Sequence, residues 1–328
     1  MMTALVTGAR GFIGSHLVEF LLRKGYRVRC LLRKKKGANK WLDPLDIEIV
    51  TGDLTRSESL RDAVKDVDYI FHLAGSTKAY KRQDLFKSNF EGTKNIIGAT
   101  LTFNRGLKRF VHVSSLAVTG PSKNREPVTE QDLPGPVSDY GKSKLAAEEA
   151  VLKSASELPV AIVRPPAVYG PRDRDLLELF KYGKRGRRLE IIGGTQTLSL
   201  VYVKDLVRGI NMAAEKDEAM GQTYFICNDE IYTAETIGDL IAAAMDKNAR
   251  PLRIPLALVY LVSAAGELYG KLTRRASLFN LDKYREIKQT NWICDNGKAK
   301  KELGFEIEFT LERGLRETAD WYKRNGWL

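Results

Sequence analysis

The chain has 328 residues, too many for a minimal binding module and near the upper limit for one continuous core, so one large domain with a smaller lobe is expected. Hydrophobic residues at 43%, charged residues at 29% and aromatics at 9% exclude a disordered, collagen-like or coiled-coil chain. The formal charge of +12 favours anionic company such as a nucleotide cofactor, while the basic clusters at 33–36, 184–188 and 271–275 come with no nucleic-acid motif.

Along the first half, short apolar runs alternate with amphipathic stretches. Residues 4–7 predict a first strand and 13–24 a helix. Strands are then predicted at 27–32, 47–50, 69–73, 109–114 and 160–164, with helices over 57–64, 89–102 and 140–156. Such repeated strand–helix–strand units build an α/β fold with a doubly wound parallel sheet, the Rossmann fold. After Arg164 the rhythm loosens at Pro165, Pro166, Gly170 and Pro171. The expected division is a dinucleotide-binding domain over 1–170 and a smaller C-terminal substrate-binding lobe over 171–328. A strand at 198–203 is expected to rejoin the large sheet, so that about 198–210 returns to the first domain.

From Ile254 to Ala265 run twelve uncharged, mostly apolar residues. A bilayer crossing needs about 20. The segment therefore reads as a buried or lid helix, as an interfacial membrane helix beside Lys271, Arg274 and Arg275, or as a dimer contact. Cys30, Cys227 and Cys294 lie far apart with no CxxC, so neither a disulfide framework nor a metal site is expected. The chain enters its first strand at once, without a signal-like leader, which together with the cysteines points to a cytoplasmic protein.

Gly8, Gly11 and Gly14 stand three apart between the first strand and the first helix. A tight turn, a bare backbone approach and close helix packing each need the missing side chain, and the helix N-terminus then offers N–H groups to a pyrophosphate. A carboxylate closing the second strand would bind the adenosine ribose of NAD, whereas a cation suits the 2′-phosphate of NADP. This chain has Leu32-Arg33-Lys34 there and Arg10 inside the turn, so NADP is preferred over NAD. Asp53 and Leu54, after the third strand, are expected beside the adenine, with Asp53 as a simple helix cap the alternative.

Tyr140 and Lys144 are four apart at the start of a helical stretch and share one face. A phenol works as an acid or base near neutral pH only if its anion is stabilised, and a neighbouring ammonium does that. Tyr284 and Lys288 repeat the spacing, but only the first pair follows a strand ending in Ser114 and Ser115, whose hydroxyl can hold a substrate oxygen at the C-terminal edge of the sheet.

The ordered set Thr7-Gly-Ala-Arg-Gly-Phe-Ile-Gly14, Gly52-Asp-Leu54, His72-Leu-Ala-Gly75, Asn89-Phe-Glu-Gly-Thr93, Val113-Ser-Ser115, Tyr140-Gly-Lys-Ser-Lys144 and Arg164-Pro-Pro-Ala-Val-Tyr-Gly-Pro-Arg-Asp173 resembles the extended short-chain dehydrogenase/reductase superfamily along nearly the whole chain. The resemblance implies Ser115, Tyr140 and Lys144 as the catalytic group, with Tyr140 as acid/base, Lys144 on the nicotinamide ribose, and Asn89 near the nicotinamide. It implies a cofactor wall of Gly8, Arg10, Gly11, Phe12, Ile13, Gly14, Leu73, Ala74, Gly75, Pro165 and Val168. A homodimer through the helices at 89–102 and 140–156 is also expected from it. Nucleotide-sugar epimerases and dehydratases often carry Asn where this chain has Ala167. The runs from Arg164 to Asp173, from Leu198 to Asp205, from Ile254 onward and from Cys294 to Gly304 look more similar to 3β-hydroxysteroid and sterol dehydrogenases, and Arg33 to dihydroflavonol reductases. The leading expectation is net oxidation or reduction of an apolar secondary alcohol or ketone; the alternatives are a nucleotide-sugar epimerase or dehydratase with the same residues, and a cofactor-sensing protein without chemistry.

Overall fold

A computed structural model describes residues 1–33, 40–192, 196–273, 277 and 280–328. Seven strands form one wholly parallel sheet: β1 (Thr3–Thr7), β2 (Arg27–Leu32), β3 (Glu48–Thr51), β4 (Tyr69–His72), β5 (Arg109–Val113), β6 (Val160–Arg164) and β7 (Thr223–Phe225). Their order across the sheet is β7-β6-β5-β4-β1-β2-β3. The predicted doubly wound Rossmann sheet is thus present.

Both faces of a parallel sheet are covered, which is why its strands read as near-continuous apolar runs. Alternate side chains enter two cores: Ala4, Val6, Val28, Phe71 and Val111 on one face, Leu5, Leu31, Ile70, Phe110 and Ile162 on the other. Among the helices that close these cores are α1 (Phe12–Arg23), α2 (Gly92–Phe103), α3 (Asp139–Lys153) and α4 (Val203–Glu215). Leu17 and Leu21 of α1 join Leu206 and Ile210 of α4 in the first core. Ile96 of α2 and Val151 of α3 join the second. The strand order reverses between β1 and β4, and such a reversal opens a crevice at the carboxyl ends of those strands.

The strand expected to rejoin the sheet does not do so. Leu200–Tyr202 pairs in parallel with Ala167–Tyr169 in a separate two-stranded sheet, where Tyr169 and Tyr202 lie 5.4 Å apart. The place beyond β6 belongs to β7, whose three residues are too few to show a period. What packs back on the sheet is α4, whose apolar face lies against β5, β6 and α1. The helix predicted over 57–64 is broken into a 3-10 turn, Ser57–Ser59, and a single helical turn, Arg61–Val64.

Beyond β7 the strands form small separate sheets, with helices at Ala234–Ala244 and Leu311–Arg324 besides those named next. Arg250–Pro255 pairs in parallel with Arg187–Ile192 and leads directly into α5 (Leu256–Thr273); α6 (Leu281–Ile287) follows. The buried reading of the segment from Ile254 is corrected: only Ser263 and Gly270 of α5 are buried. Among the described residues no helix is long and apolar enough to cross a membrane. The three cysteines are free and buried.

Candidate active site

The glycine turn closes against the end of β4. Gly8 has φ +74, and a Cβ there would stand 2.8 Å from the Ala74 nitrogen. A Cβ on Gly14 would meet the Gly8 carbonyl oxygen at 2.2 Å, so the turn and α1 pack only as glycines. Gly11 is the N-cap of α1 and brings no side chain to the first-turn N–H groups. Thr7 and His72, at the ends of β1 and β4, join through Oγ1 and Nδ1 at 2.8 Å; His72 Nε2 reaches Thr93 Oγ1 at 2.9 Å, fixing α2 to both strands. Burial lowers the His72 pKa to about 3, so this staple is a neutral imidazole at pH 7.

A cleft of about 1160 Å³ opens at this edge. Gly8, Arg10, Gly11, Phe12, Ile13, Gly14, Leu73, Gly75, Ser115, Tyr140, Lys144, Pro165 and Val168 all line it, so most of the residues singled out in the sequence meet in one place. The donor-rich turn and the length of the cleft suit a dinucleotide. So does Ser114 Oγ, buried on the cleft wall and with no hydrogen-bond partner among the described residues.

Tyr140 rises from the first turn of α3 and Lys144 from the second. Ser138 caps this helix, its Oγ accepting from the Gly141 N–H at 3.0 Å. Lys144 is buried, and its Nζ donates to the Val113 carbonyl at the end of β5, 2.7 Å away. Burial pulls its pKa down to about 8, against the Glu148 carboxylate, which raises it. Glu148 itself is bound by Arg164 at the end of β6, at 2.6 Å, with both side chains buried. Ser115 starts the 3-10 turn Leu116–Val118, its Oγ accepting from the Ala117 N–H at 3.1 Å.

The phenol differs from expectation. Burial pushes the Tyr140 pKa up to about 12; the Ser115 hydroxyl bonded to it pulls downward, and the Glu286 carboxylate pushes further up. In this arrangement the Lys144 ammonium is engaged by Val113, and the phenol is held in its protonated form at neutral pH.

Several expected residues lie off the cleft wall. Asn89, in a π-helical turn over Lys87–Glu91, is buried with its amide committed: Oδ1 accepts from the Ser76 N–H at 2.7 Å, and Nδ2 donates to the Ser76 carbonyl at 3.0 Å and to Ser143 Oγ at 2.8 Å. It ties the loop after β4 to α3 from behind. Ala74 also stays behind the wall, its N–H bonded to Thr7 Oγ1 at 3.2 Å. Asp53 accepts from the N–H and Oγ1 of Thr55, both at 2.9 Å; with Arg33 nearby its carboxyl is held below the usual range. Asp53, Leu54 and the exposed Arg33 do not line the cleft, and Lys34 lies outside the described residues.

The opposite wall comes from elements that carry no motif. α6 contributes Lys283, Glu286 and Ile287, and the strand Asn291–Trp292 contributes Trp292. Asp282 of α6 caps α3 from outside: Oδ1 accepts from the Asp139 N–H at 2.7 Å and Oδ2 from the Tyr140 N–H at 3.2 Å. Glu286 Oε1 accepts from Ser138 Oγ at 2.7 Å. Only the Asn280 cap, whose Oδ1 accepts from the Lys283 N–H at 2.8 Å, was a local signal for α6, and it says nothing of where the helix docks. The second Tyr-x-x-x-Lys lies on this helix, with Tyr284 against Tyr260 of α5 at 5.3 Å between ring centroids.

A parallel sheet with its switch point beside a glycine turn, and Ser, Tyr and Lys gathered at the same edge, define a dinucleotide-dependent enzyme of the short-chain dehydrogenase/reductase type. The model of the NAD dependent epimerase/dehydratase family matches residues 4–227, and the chain belongs to that family. It is 32% identical to a ceramide reductase of Caulobacter vibrioides, covering 98% of this chain and 95% of the relative. It is 29% identical to a decarboxylating sterol-4-alpha-carboxylate 3-dehydrogenase of Candida albicans, covering 98% and 97%. A UDP-glucuronic acid 4-epimerase from Bacillus cereus, solved in complex with NAD, superposes with a TM-score of 0.77 at 25% identity over 99% of both chains.

Proposed function

We propose that the protein is an NADP(H)-dependent oxidoreductase that reduces a ketone, or oxidises the matching secondary alcohol, on an apolar, lipid-like substrate. The observation that carries this reading is the lining of the cleft: Leu116, Pro166, Ala167, Leu198, Ile287 and Trp292 share it with Ser115, Tyr140 and Lys144. Hydrogen-bonding side chains such as Gln196, Ser199 and Lys283 also line the cleft, but position 167, where nucleotide-sugar enzymes often carry Asn, offers only a methyl group. The relatives named a ceramide reductase and a sterol carboxylate dehydrogenase support the same substrate chemistry.

The cofactor, when bound, supplies or accepts the hydride. Ser115 Oγ holds the substrate oxygen, and Tyr140 gives its proton to that oxygen as the carbonyl is reduced. A phenol kept protonated by burial suits the reducing direction. Lys144, fixed by Val113, places an ammonium at the floor of the cleft for the ribose hydroxyls. NADP is favoured over NAD because Arg10 lines the cleft and the end of β2 carries Leu32-Arg33 with no carboxylate.

The test is to denature the purified protein, identify any released dinucleotide by mass, and titrate the emptied protein with NADPH and NADH. Exchangeable NADPH, bound at least about tenfold tighter than NADH, is expected, together with NADPH oxidation on long-chain ketones. NAD that stays bound through purification and turnover would replace this reading with an epimerase, which returns its hydride to the same substrate.

A further inference from the structure

Among the described residues, the apolar face of α5 has no partner. Leu258, Leu261, Val262, Ala265, Leu268, Tyr269 and Leu272 follow one another at three- and four-residue steps, so they share one side of the helix over roughly 21 Å. All are exposed, Leu261 at 61%, Leu268 at 59% and Leu272 at 77%. Among the described residues sixteen large hydrophobic side chains are exposed, and seven belong to this single helix, so the stripe is a concentration rather than the scatter of an ordinary surface.

Charge decides what covers it. Glu267, the acidic residue of α5, is turned toward the body of the protein, where Oε2 accepts from the Leu281 N–H at 3.3 Å and Oε1 meets Lys271 Nζ at 3.2 Å. Exposed cations outnumber carboxylates beside the helix among the described residues: Arg250 and Arg253 on the strand leading in, Arg187 opposite Arg250 on the neighbouring strand and Lys271 in the last turn stand against Glu190, 3.4 Å from Arg253, and Glu267, 3.2 Å from Lys271. An apolar stripe on one helix face, flanked by cations, is the arrangement by which a helix lies in the headgroup region of an anionic bilayer. The excess is positive, so an anionic surface answers it, whereas a second copy would bring a border of the same sign.

We infer that α5 is a membrane-docking helix, and that its partner is the surface of an anionic phospholipid bilayer. α6 links this face to the active site: Tyr284 packs on Tyr260 of α5, while Asp282, Glu286 and Ile287 on the same short helix reach the N-terminus of α3 and the cleft. A chain seated on α5 thus sets the wall of its cleft next to the lipid. The inference does not rest on the redox reading, because docking is read without turnover.

The experiment uses the full chain with vesicles of phosphatidylcholine alone and of phosphatidylcholine with phosphatidylglycerol. The protein is expected to float with the anionic vesicles, less so at high salt, and the double variant Leu261→Glu, Leu268→Glu is expected to lower the bound fraction about tenfold or more. In the unaltered protein, backbone amides over 256–273 should gain hydrogen-exchange protection on adding the anionic vesicles, a readout independent of how the variant folds. Protein that stays out of the vesicle fraction, or a variant that floats undiminished, overturns the inference. A dimer in solution that the double variant dissociates would assign the face to a second copy instead.

Discussion

The two walls of the cleft are held by different means. The wall from the sheet is backbone: the ends of β1, β4, β5 and β6 set its position through strand register, and Gly8 and Gly14 admit no side chain at all. The wall from the C-terminal lobe hangs on a few polar contacts from α6, a helix of seven residues with none of them buried. One wall therefore offers a fixed frame for a common cofactor, and the other an adjustable surface for a particular substrate. A family can keep the first and vary the second, because a short helix tied by side chains moves at little cost to the core.

That contrast can be broken most sharply at Tyr140. Tyr140→Phe keeps the ring and removes the proton donor, so turnover should fall by about 10²–10⁴-fold while cofactor affinity and melting temperature stay near those of the parent. Unchanged steady-state turnover would strip Tyr140 of its role as proton donor, and full cellular function of the variant despite lost turnover would return the protein to a cofactor-sensing reading.

The fixed frame is tested at Glu148. Glu148→Ala leaves the Arg164 guanidinium buried without its anion, at a cost of about 3–5 kcal/mol, or roughly 5–10 °C in a thermal melt. A shift under about 1 °C would mean that the pair contributes nothing to the frame.

The adjustable wall should respond more mildly. Asp282→Ala removes two acceptors from the α3 N-terminus, and about 1–2 kcal/mol of stability with them. kcat is expected to drop several-fold, roughly in step with the loosened Tyr140, while cofactor affinity holds. An equal loss of cofactor affinity would show that the two walls are one unit.

A pH profile sharpens the comparison from within the frame. Lys144 is charged below its pKa of about 8 and loses the proton above it, so reductase activity should decline as pH rises past about 8. Because the Glu148 carboxylate raises that pKa, Glu148→Gln should move the alkaline limb to lower pH. A profile flat through pH 9 in the parent would remove Lys144 from the proton economy of the site. The smallest effect is expected on α5: Leu272→Ser, at a side chain already in solvent, should change stability by less than about 0.5 kcal/mol.

The sequence by itself determined the sheet and the residues at its edge. Glycine spacing, strand-forming runs buried on both faces and the Tyr140–Lys144 step are local patterns, and local patterns survive in a string of letters because each is imposed within a turn or two of chain. The resemblance, not any local pattern, implied Asn89 near the nicotinamide; the structure adds that its amide is committed to Ser76 and Ser143 from within a π-helical turn. Spacing set Lys144 to hold the phenol down, whereas burial, a property of everything around Tyr140, moved the phenol the other way. Only the tertiary structure decided that Leu200–Tyr202 would pair away from the large sheet, that α6 would cap a helix more than a hundred residues earlier, and that α5 would turn its leucines outward. Those outcomes depend on which surfaces meet across long stretches of chain, and an apolar run reads the same whether it will be covered by its own fold or left for another surface to cover.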